Sequence, residues 1–331
     1  MVVTSRDVAR LAGVSQPTVS RALRDDPRVS QATKKRIREA AERLGYVPSE
    51  AGRALSSGRT RRIGLLLTDL ENQFYSHIIA PAHEQLQSRG YQLMLHTEAV
   101  DTETVAERLI SNGLDGVLLA TSKVDSVVPL RLRDRELPFV YFNRTSSSVQ
   151  ADSAEVDPIP GMVQMADALF ERGHRRIAAI FGPADTSTGV GRELALREAL
   201  ARHGISLSAE YVHRGPFDTM TGFTATRALL EAAQPPTAIV CGNDVVAFGA
   251  LNAARCIGAE VPADVSIIGF DDLPAASWPI IRLTTVSFDL EAMVRRAADL
   301  LVRRIEEPDR PVEQCKFRSE LVVRDTLGSI S

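Results

Sequence analysis

The sequence predicts an α/β protein: a small basic helical head followed by a two-lobed body of parallel sheets. Three observations lead there. Charge is divided unevenly, since residues 1–62 carry 14 basic and 6 acidic residues (+8) while the remainder carries 25 and 36 (−11). Helix start signals crowd the first fifty residues, and short apolar runs then alternate with helical stretches for most of the remaining chain. At 331 residues, 44% hydrophobic and 24% charged, the chain has enough apolar content for more than one core. It contains no apolar run of membrane-spanning length, and its N-terminus turns polar at once, so a cytoplasmic protein without a membrane partner is expected. Cys241, Cys256 and Cys315 are odd in number and lack CxxC spacing, so buried thiols are expected rather than disulfides or zinc.

The head reads as three helices. Thr4-x-x-Asp7 resembles a capping box, with Val8 and Leu11 on one face and Gly13 as the stop. Ser15 opens a second helix through Leu23, with Pro17 in the first turn, where backbone N–H groups are unpaired in any case. Ser30 opens a third, with Ile37, Ala40, Ala41 and Leu44 inward and Gly45 closing it. Helix, turn, helix is a DNA-reading arrangement in which the second helix enters the major groove. Gln16 can pair with adenine and Arg21 with guanine, while Pro17 offers apolar contact and Ser20 lies on the same helix. Ser15, Ser30 and Thr33 stand at helix starts, where phosphate contact and plain capping are compatible roles. A solvated basic helix is the alternative source of the charge.

Residues 48–62 are rich in Ser, Gly and Arg, with Leu55 the one large apolar residue between the head core and the next strand; one short helix fits Ser49–Ser56. The resulting division is 1–47 headpiece, 48–62 hinge or linker, and 63–331 body.

In the body, strands are expected at Ile63–Thr68, Gln92–Leu95, Gly116–Ala120, Phe139–Asn143, Arg176–Phe181, Ala238–Cys241 and Ser266–Phe270. No fixed-period repeat is visible. Ligand groups in such folds gather just past the carboxyl ends of strands. Those positions hold Asp69 through Tyr75, Ser122, Asn143-Arg144, Gly182 through Arg192, Asn243-Asp244 and Asp271-Asp272. This mixture of amides, carboxylates, an arginine fork and aromatic faces suits a polyhydroxylated ligand. Phe74, Tyr75 and Phe217 fit either a ligand wall or the core. Asp272 is expected to cap the following helix and His174 to order a helix-to-strand turn. Gly189-Val190-Gly191 is only a fragment of a dinucleotide fingerprint, and the six histidines show no metal spacing. Neither a catalytic set nor a cofactor or metal is expected.

Arg6 through Leu23, Arg36-Ile37 and Leu44 through Pro48 resemble the LacI family of bacterial transcriptional repressors, relatives of the lactose and purine repressors. So do Arg172 through Ile177, Phe181-Gly182-Pro183, Asn243-Asp244 with Gly249-Ala250, Ile267 through Asp272, Leu283 through Val286 and Glu320 through Arg324. The resemblance covers essentially the whole chain. It implies a headpiece that binds palindromic operator DNA as a homodimer, and a periplasmic-binding-protein-like body controlled by a small effector. It further implies paired hinge helices in the minor groove, with Leu55 wedged into a base step and Arg53 on phosphate. Gly52 replaces the family's usual alanine. Arg192 resembles the arginine that grips the effector and Asp271 the carboxylate beneath it, with Asn143, Thr188 and Asn243 as polar contacts and Phe74, Tyr75 and Phe217 as aromatic walls. Asn143 stands where aspartate is common. The chain runs only a short way past Thr326 without leucine heptads, so a dimer is expected rather than a tetramer. Neutral sugar, phosphosugar, sugar acid and nucleobase or nucleoside remain open as effectors; Arg192, Asp271 and the aromatic walls favour a sugar or sugar derivative. The alternative function is a sugar-binding protein or sugar-active α/β enzyme with an incidental basic head.

Overall fold

The computed structural model describes residues 3–23, 25–47, 59–68, 72–97 and 102–330. The expected hinge helix, with Gly52, Arg53 and Leu55, lies outside the described residues, as does Asp69. The chain divides into two compact units, Met1–Thr60 and Arg61–Ser331.

The head comprises α1 (Ser5–Ala12), α2 (Gln16–Leu23) and α3 (Gln31–Arg43). The Thr4 N–H and hydroxyl both donate to Asp7 Oδ2, at 3.0 and 2.7 Å, fixing the start of α1. Gly13 ends it at φ +63°, a left-handed conformation that suits glycine. Val8, Ala12, Val19, Ala22, Ile37 and Ala40 form the centre of the core. Leu11, expected inside, is 46% exposed. Burial of Val8, Ala9 and Ala12 centres the apolar stripe near Ala12, and the turn of about 100° per residue carries Leu11 round to its edge. Lys34 is buried instead. Its Nζ donates to the Asp25 carbonyl at 2.8 Å and meets the Asp25 carboxylate at 2.9 Å.

The described residues of the body build two six-stranded sheets. The first lobe runs β1 (Arg62–Leu67), α4 (Gln73–Ser88), β2 (Gln92–Thr97), α5 (Glu103–Ser111), β3 (Gly116–Leu119), α6 (Val128–Asp134), β4 (Phe139–Phe142) and β5 (Ser153–Asp157). The second runs α7 (Ile159–Glu171), β6 (Ile177–Phe181), α8 (Ser187–Ala201), β7 (Val212–Arg214), α9 (Thr219–Leu230), β8 (Ala238–Cys241), α10 (Asp244–Cys256), β9 (Ser266–Phe270) and β10 (Thr284–Ser287). Then α11 (Leu290–Glu306) returns to pack across β3, β4, β5 and α4. The chain finishes with β11 (Gln314–Arg318) in the first sheet and β12 (Glu320–Val322) in the second.

The sheets run β11-β5-β4-β3-β1-β2 and β12-β10-β9-β8-β6-β7. Strand for strand these are the same order, so the lobes are topological copies although the sequence shows no repeat. Pairings are parallel except β10–β12, which is antiparallel and departs from the all-parallel expectation. The chain crosses between lobes after β5, after β10 and between β11 and β12. Buried Ser319 ties the first crossing to the last: its hydroxyl donates to the Asp157 carbonyl at 2.6 Å and accepts from the Gly161 N–H at 3.1 Å.

Candidate functional site

Equivalent strands of the two lobes deliver side chains to one cleft. Past β1, Asn72 caps α4 by accepting from the Phe74 N–H at 3.0 Å, which sets Phe74 and Tyr75 in the first turn. Past β6, the strand equivalent to β1, Thr186 caps α8 and sets Thr188 and Arg192 on its inner face. Past β4 and its counterpart β9, the backbone turns through left-handed conformations at Asn143 (φ 63°), Asp271 (φ 111°) and Asp272 (φ 50°). Such conformations are uncommon outside glycine and concentrate at functional sites. Asn243, past β8, caps α10 by accepting from the Val246 N–H at 2.9 Å. Phe217 follows β7 over Gly182, where any Cβ would lie 2.0 Å from the ring.

Most of these residues line one cleft between the lobes. It brings together Phe74, Tyr75, Asn143, Thr188, Arg192, Phe217, Asn243 and Asp271, and adds Asn72 and Arg144. Asn72 also spans the lobes, its Nδ2 donating to the Phe217 carbonyl at 3.0 Å. Asn72 and Arg144 were within reach of the strand-exit rule, but cap and turn positions carry no ligand signature of their own.

The polar wall centres on a buried ion pair. Arg192 donates to Asp271 Oδ1 and to the Gly242 carbonyl, both at 2.7 Å, and its guanidinium lies 3.8 Å from the centre of the Phe270 ring. Burial pushes the Asp271 carboxyl up against the opposing pull of Arg192, and pulls the Arg192 guanidinium down. Behind them Asp244 is fully buried and pushed well up, first by burial and then by the charge of Asp271. Its oxygens meet the Thr285 hydroxyl at 2.5 Å and the Leu273 N–H at 2.7 Å. Two polar atoms of the cavity, Asn143 Oδ1 and Thr188 Oγ1, are buried with no hydrogen-bond partner. Orphans of this kind cost free energy unless something supplies the missing bond.

Two expectations are corrected and a third is extended. Asp272 caps no helix; its carboxylate meets Arg324 at 2.7 Å, and Leu273 holds the N-cap position of the short 3-10 segment Pro274–Ser277. Cys256 is exposed and Cys315 half-buried, leaving only Cys241 buried; Cys256 stands on the last, solvent-facing turn of α10. His174 does more than order its turn, since its ring bridges Thr237 Oγ1 at 3.0 Å and the Gly328 carbonyl at 3.1 Å.

In the head, Ser15, Gln16, Pro17, Arg21 and Ser30 are exposed, and Ser20 and Thr33 half-buried. Gln16 donates to the Ser5 hydroxyl at 2.9 Å, and Ser30 caps α3 by accepting from the Thr33 N–H at 3.3 Å. Among the described residues there is no metal-binding cluster and no helix long and apolar enough to cross a membrane.

A helix-turn-helix head and a two-lobed body with a buried polar cleft together define a DNA-binding transcriptional regulator. Residues 4–49 match the family described as "Bacterial regulatory proteins, lacI family", and residues 166–327 match "Periplasmic binding protein-like domain". The chain is 32% identical over 335 residues to the probable HTH-type transcriptional repressor ExuR of Bacillus subtilis (strain 168), covering 100% of both chains. Among solved structures it is similar to the transcriptional regulator CelR–cellobiose complex (33% identity, TM-score 0.74, 98% and 99% of the two chains). It is also similar to the lac repressor dimer bound to operator and the anti-inducer ONPF (25% identity, TM-score 0.87, 99% and 100%). The chain belongs to the lacI family of bacterial regulatory proteins. It is a regulator rather than an enzyme, as its relatives are.

Proposed function

We propose that the chain is a repressor that binds a palindromic operator as a homodimer, and that a sugar or sugar derivative in the interlobe cleft controls that binding. The observation that carries the effector reading is the pair of orphaned acceptors, Asn143 Oδ1 and Thr188 Oγ1, beside the Arg192–Asp271 pair and under Phe74 and Phe217. Ligand hydroxyls can donate to both orphans, while aromatic faces cover the C–H face of a sugar ring. The similar CelR structure is a complex with cellobiose, which supports the same ligand class.

On DNA, Gln16 and Arg21 read base edges, with Pro17 against a thymine methyl and Ser15, Ser20, Ser30 and Thr33 around the phosphates. Leu55 and Arg53 act from the hinge, Leu55 as a minor-groove wedge. Dimerisation draws support from the exposed Ile280 (81%) beside an apolar groove between Phe248, Leu251, Val261 and Ile281. Cleft and operator are coupled through lobe closure about the three crossings, reciprocally in free energy.

A thermal-shift screen of sugars, sugar acids and nucleosides tests the cleft, since a ligand of the native state raises its melting temperature. Mobility shift on a palindromic duplex with a central CG step, with and without the hit, tests the coupling. Salt-insensitive or absent binding to that duplex argues against the operator reading, and a hit that leaves operator affinity unchanged argues against the coupling.

A further inference from the structure

Among the described residues, one cation of the cleft has no carboxylate bonded to it. Asn143 adopts φ 63°, and the Arg144 N–H donates to the Phe142 carbonyl at 2.7 Å. This tight turn at the exit of β4 sends the Arg144 side chain into the cavity wall. There its guanidinium sits 5.5 Å from the centre of the Phe217 ring, and among the described residues no side-chain hydrogen bond or ion pair holds it. Arg192 packs against the same ring at 5.9 Å. Two guanidinium groups therefore share a cavity in which the described walls provide one carboxylate, Asp271, already bonded to Arg192 at 2.7 Å.

The neighbouring acids among the described residues are committed elsewhere. Asp244 is held by Thr285 and Leu273, and Asp272 by Arg324. Asp185, on the loop after β6, meets Lys123 at 2.7 Å. The wall thus carries one positive charge in excess, placed where like charge from Arg192 opposes it. A neutral ligand leaves that imbalance in place. A ligand anion removes it, because the planar guanidinium fork matches carboxylate and phosphate oxygens.

We propose that the effector is an acidic sugar whose anionic group pairs with Arg144, while its hydroxyls satisfy Asn143 Oδ1 and Thr188 Oγ1. This deepens, and rests on, the reading of the cleft as a sugar site. Arg144 is the specificity-determining residue that separates an acid from its neutral parent.

The test is calorimetric titration of the full chain with matched hexose, hexuronate and hexose 6-phosphate in the gluco, galacto and manno configurations, together with adenosine and cytidine. The expected result is one acid bound at least about tenfold more tightly than its neutral parent, weakening as salt rises. Which acid binds distinguishes carboxylate from phosphate. Arg144→Gln brings the affinities for acid and neutral parent to within about twofold of each other, whereas Arg144→Lys keeps part of the preference. Should Arg144→Gln not fold, the salt dependence and the Lys variant carry the same comparison. A neutral hexose bound as tightly as its acids overturns the inference while leaving the sugar reading intact, and so does a preference that survives in Arg144→Gln. No acid bound, with a nucleoside bound instead, overturns both.

Discussion

Replacing Arg192 by Met leaves a buried carboxylate without its partner, and the consequences can be worked through. Asp271 is almost fully buried, and Arg192 is the cation that both hydrogen-bonds it and closes over Phe270. Removing one member of such a pair costs about 3–5 kcal/mol, mostly through the charge left behind. Arg144 lies near enough to offset a part, so about 3 kcal/mol is expected. Asp271→Asn in the same chain removes the stranded charge, and the double variant should recover about 1–3 kcal/mol. The pH dependence separates this from lost packing. Without Arg192, Asp271 loses the main pull holding its carboxyl down, and burial then raises its folded value still further above the unfolded one. An acid so raised destabilises the fold at pH above its folded pKa, and that penalty fades as pH falls toward the unfolded value. The stability gap between wild type and Arg192→Met should therefore narrow as pH falls from neutrality toward the ordinary carboxylate range. Urea unfolding of the body, followed by circular dichroism, measures the gap. A loss below about 1 kcal/mol, or one constant across that range, refutes the buried-pair argument.

Three further outcomes follow from single sites. Gly182→Ala drives a Cβ to 2.0 Å from the Phe217 ring, so it should cost about 1–3 kcal/mol and abolish the effector's thermal shift, with operator binding retained. An undiminished ligand shift would mean that Phe217 is no part of the wall. Ser319→Ala removes the bridge between the Asp157 carbonyl and the Gly161 N–H, with an expected loss of about 1–3 kcal/mol by urea titration. A neutral result there would show that the crossings are not tied through Ser319. Arg21→Ala should relax specificity at one base pair of each half-site, at about 1–3 kcal/mol, in mobility shifts over operator variants. Uniform weakening across variants would instead make Arg21 a phosphate contact.

How much of this was legible in the sequence depends on what made each element. Thr4, Gly13 and Ser30 act through local backbone geometry, so residue type alone announced where α1 begins and ends and where α3 begins. The central strands β1, β3, β4, β6, β8 and β9 are buried on both faces and read as apolar runs. β11 alternates exposed and half-buried residues at a sheet edge, and β7 and β12 span three residues each, so no such run marked them. β5 and β10 carry Ser, Glu, Asp and Thr that only tertiary pairing makes strand-like. The duplication of the lobes was hidden for a different reason. Strand order is set by how the connections run between strands, a matter of topology that does not require any residue to recur.

The cleft was legible because strand exits hold groups the core cannot tolerate; its energetics were not. Residue types at positions 143, 188, 192 and 271 announced polarity, and the sequence placed them near one another only through the rule of strand ends. What the fold adds is that these groups work against stability together. They combine an ion pair taken out of water, two acceptors without donors, a carboxyl in Asp244 kept from its usual ionisation, and three non-glycine residues in left-handed conformations. The two sheets and the helices packed on them, with Ile63, Leu118, Ile177, Ile268 and Leu301 at their centre, supply the stability that offsets this cost. On the proposed function, a ligand that supplies the donors missing at Asn143 and Thr188 stabilises the fold it binds. Arg144 was named at a strand exit, but nothing in the sequence set it apart from the other groups there. Its residue type is ordinary for an exposed turn, and only the pairing of Asp244, Asp271 and Asp272 with other groups among the described residues singles out its guanidinium as the one proposed to meet the ligand.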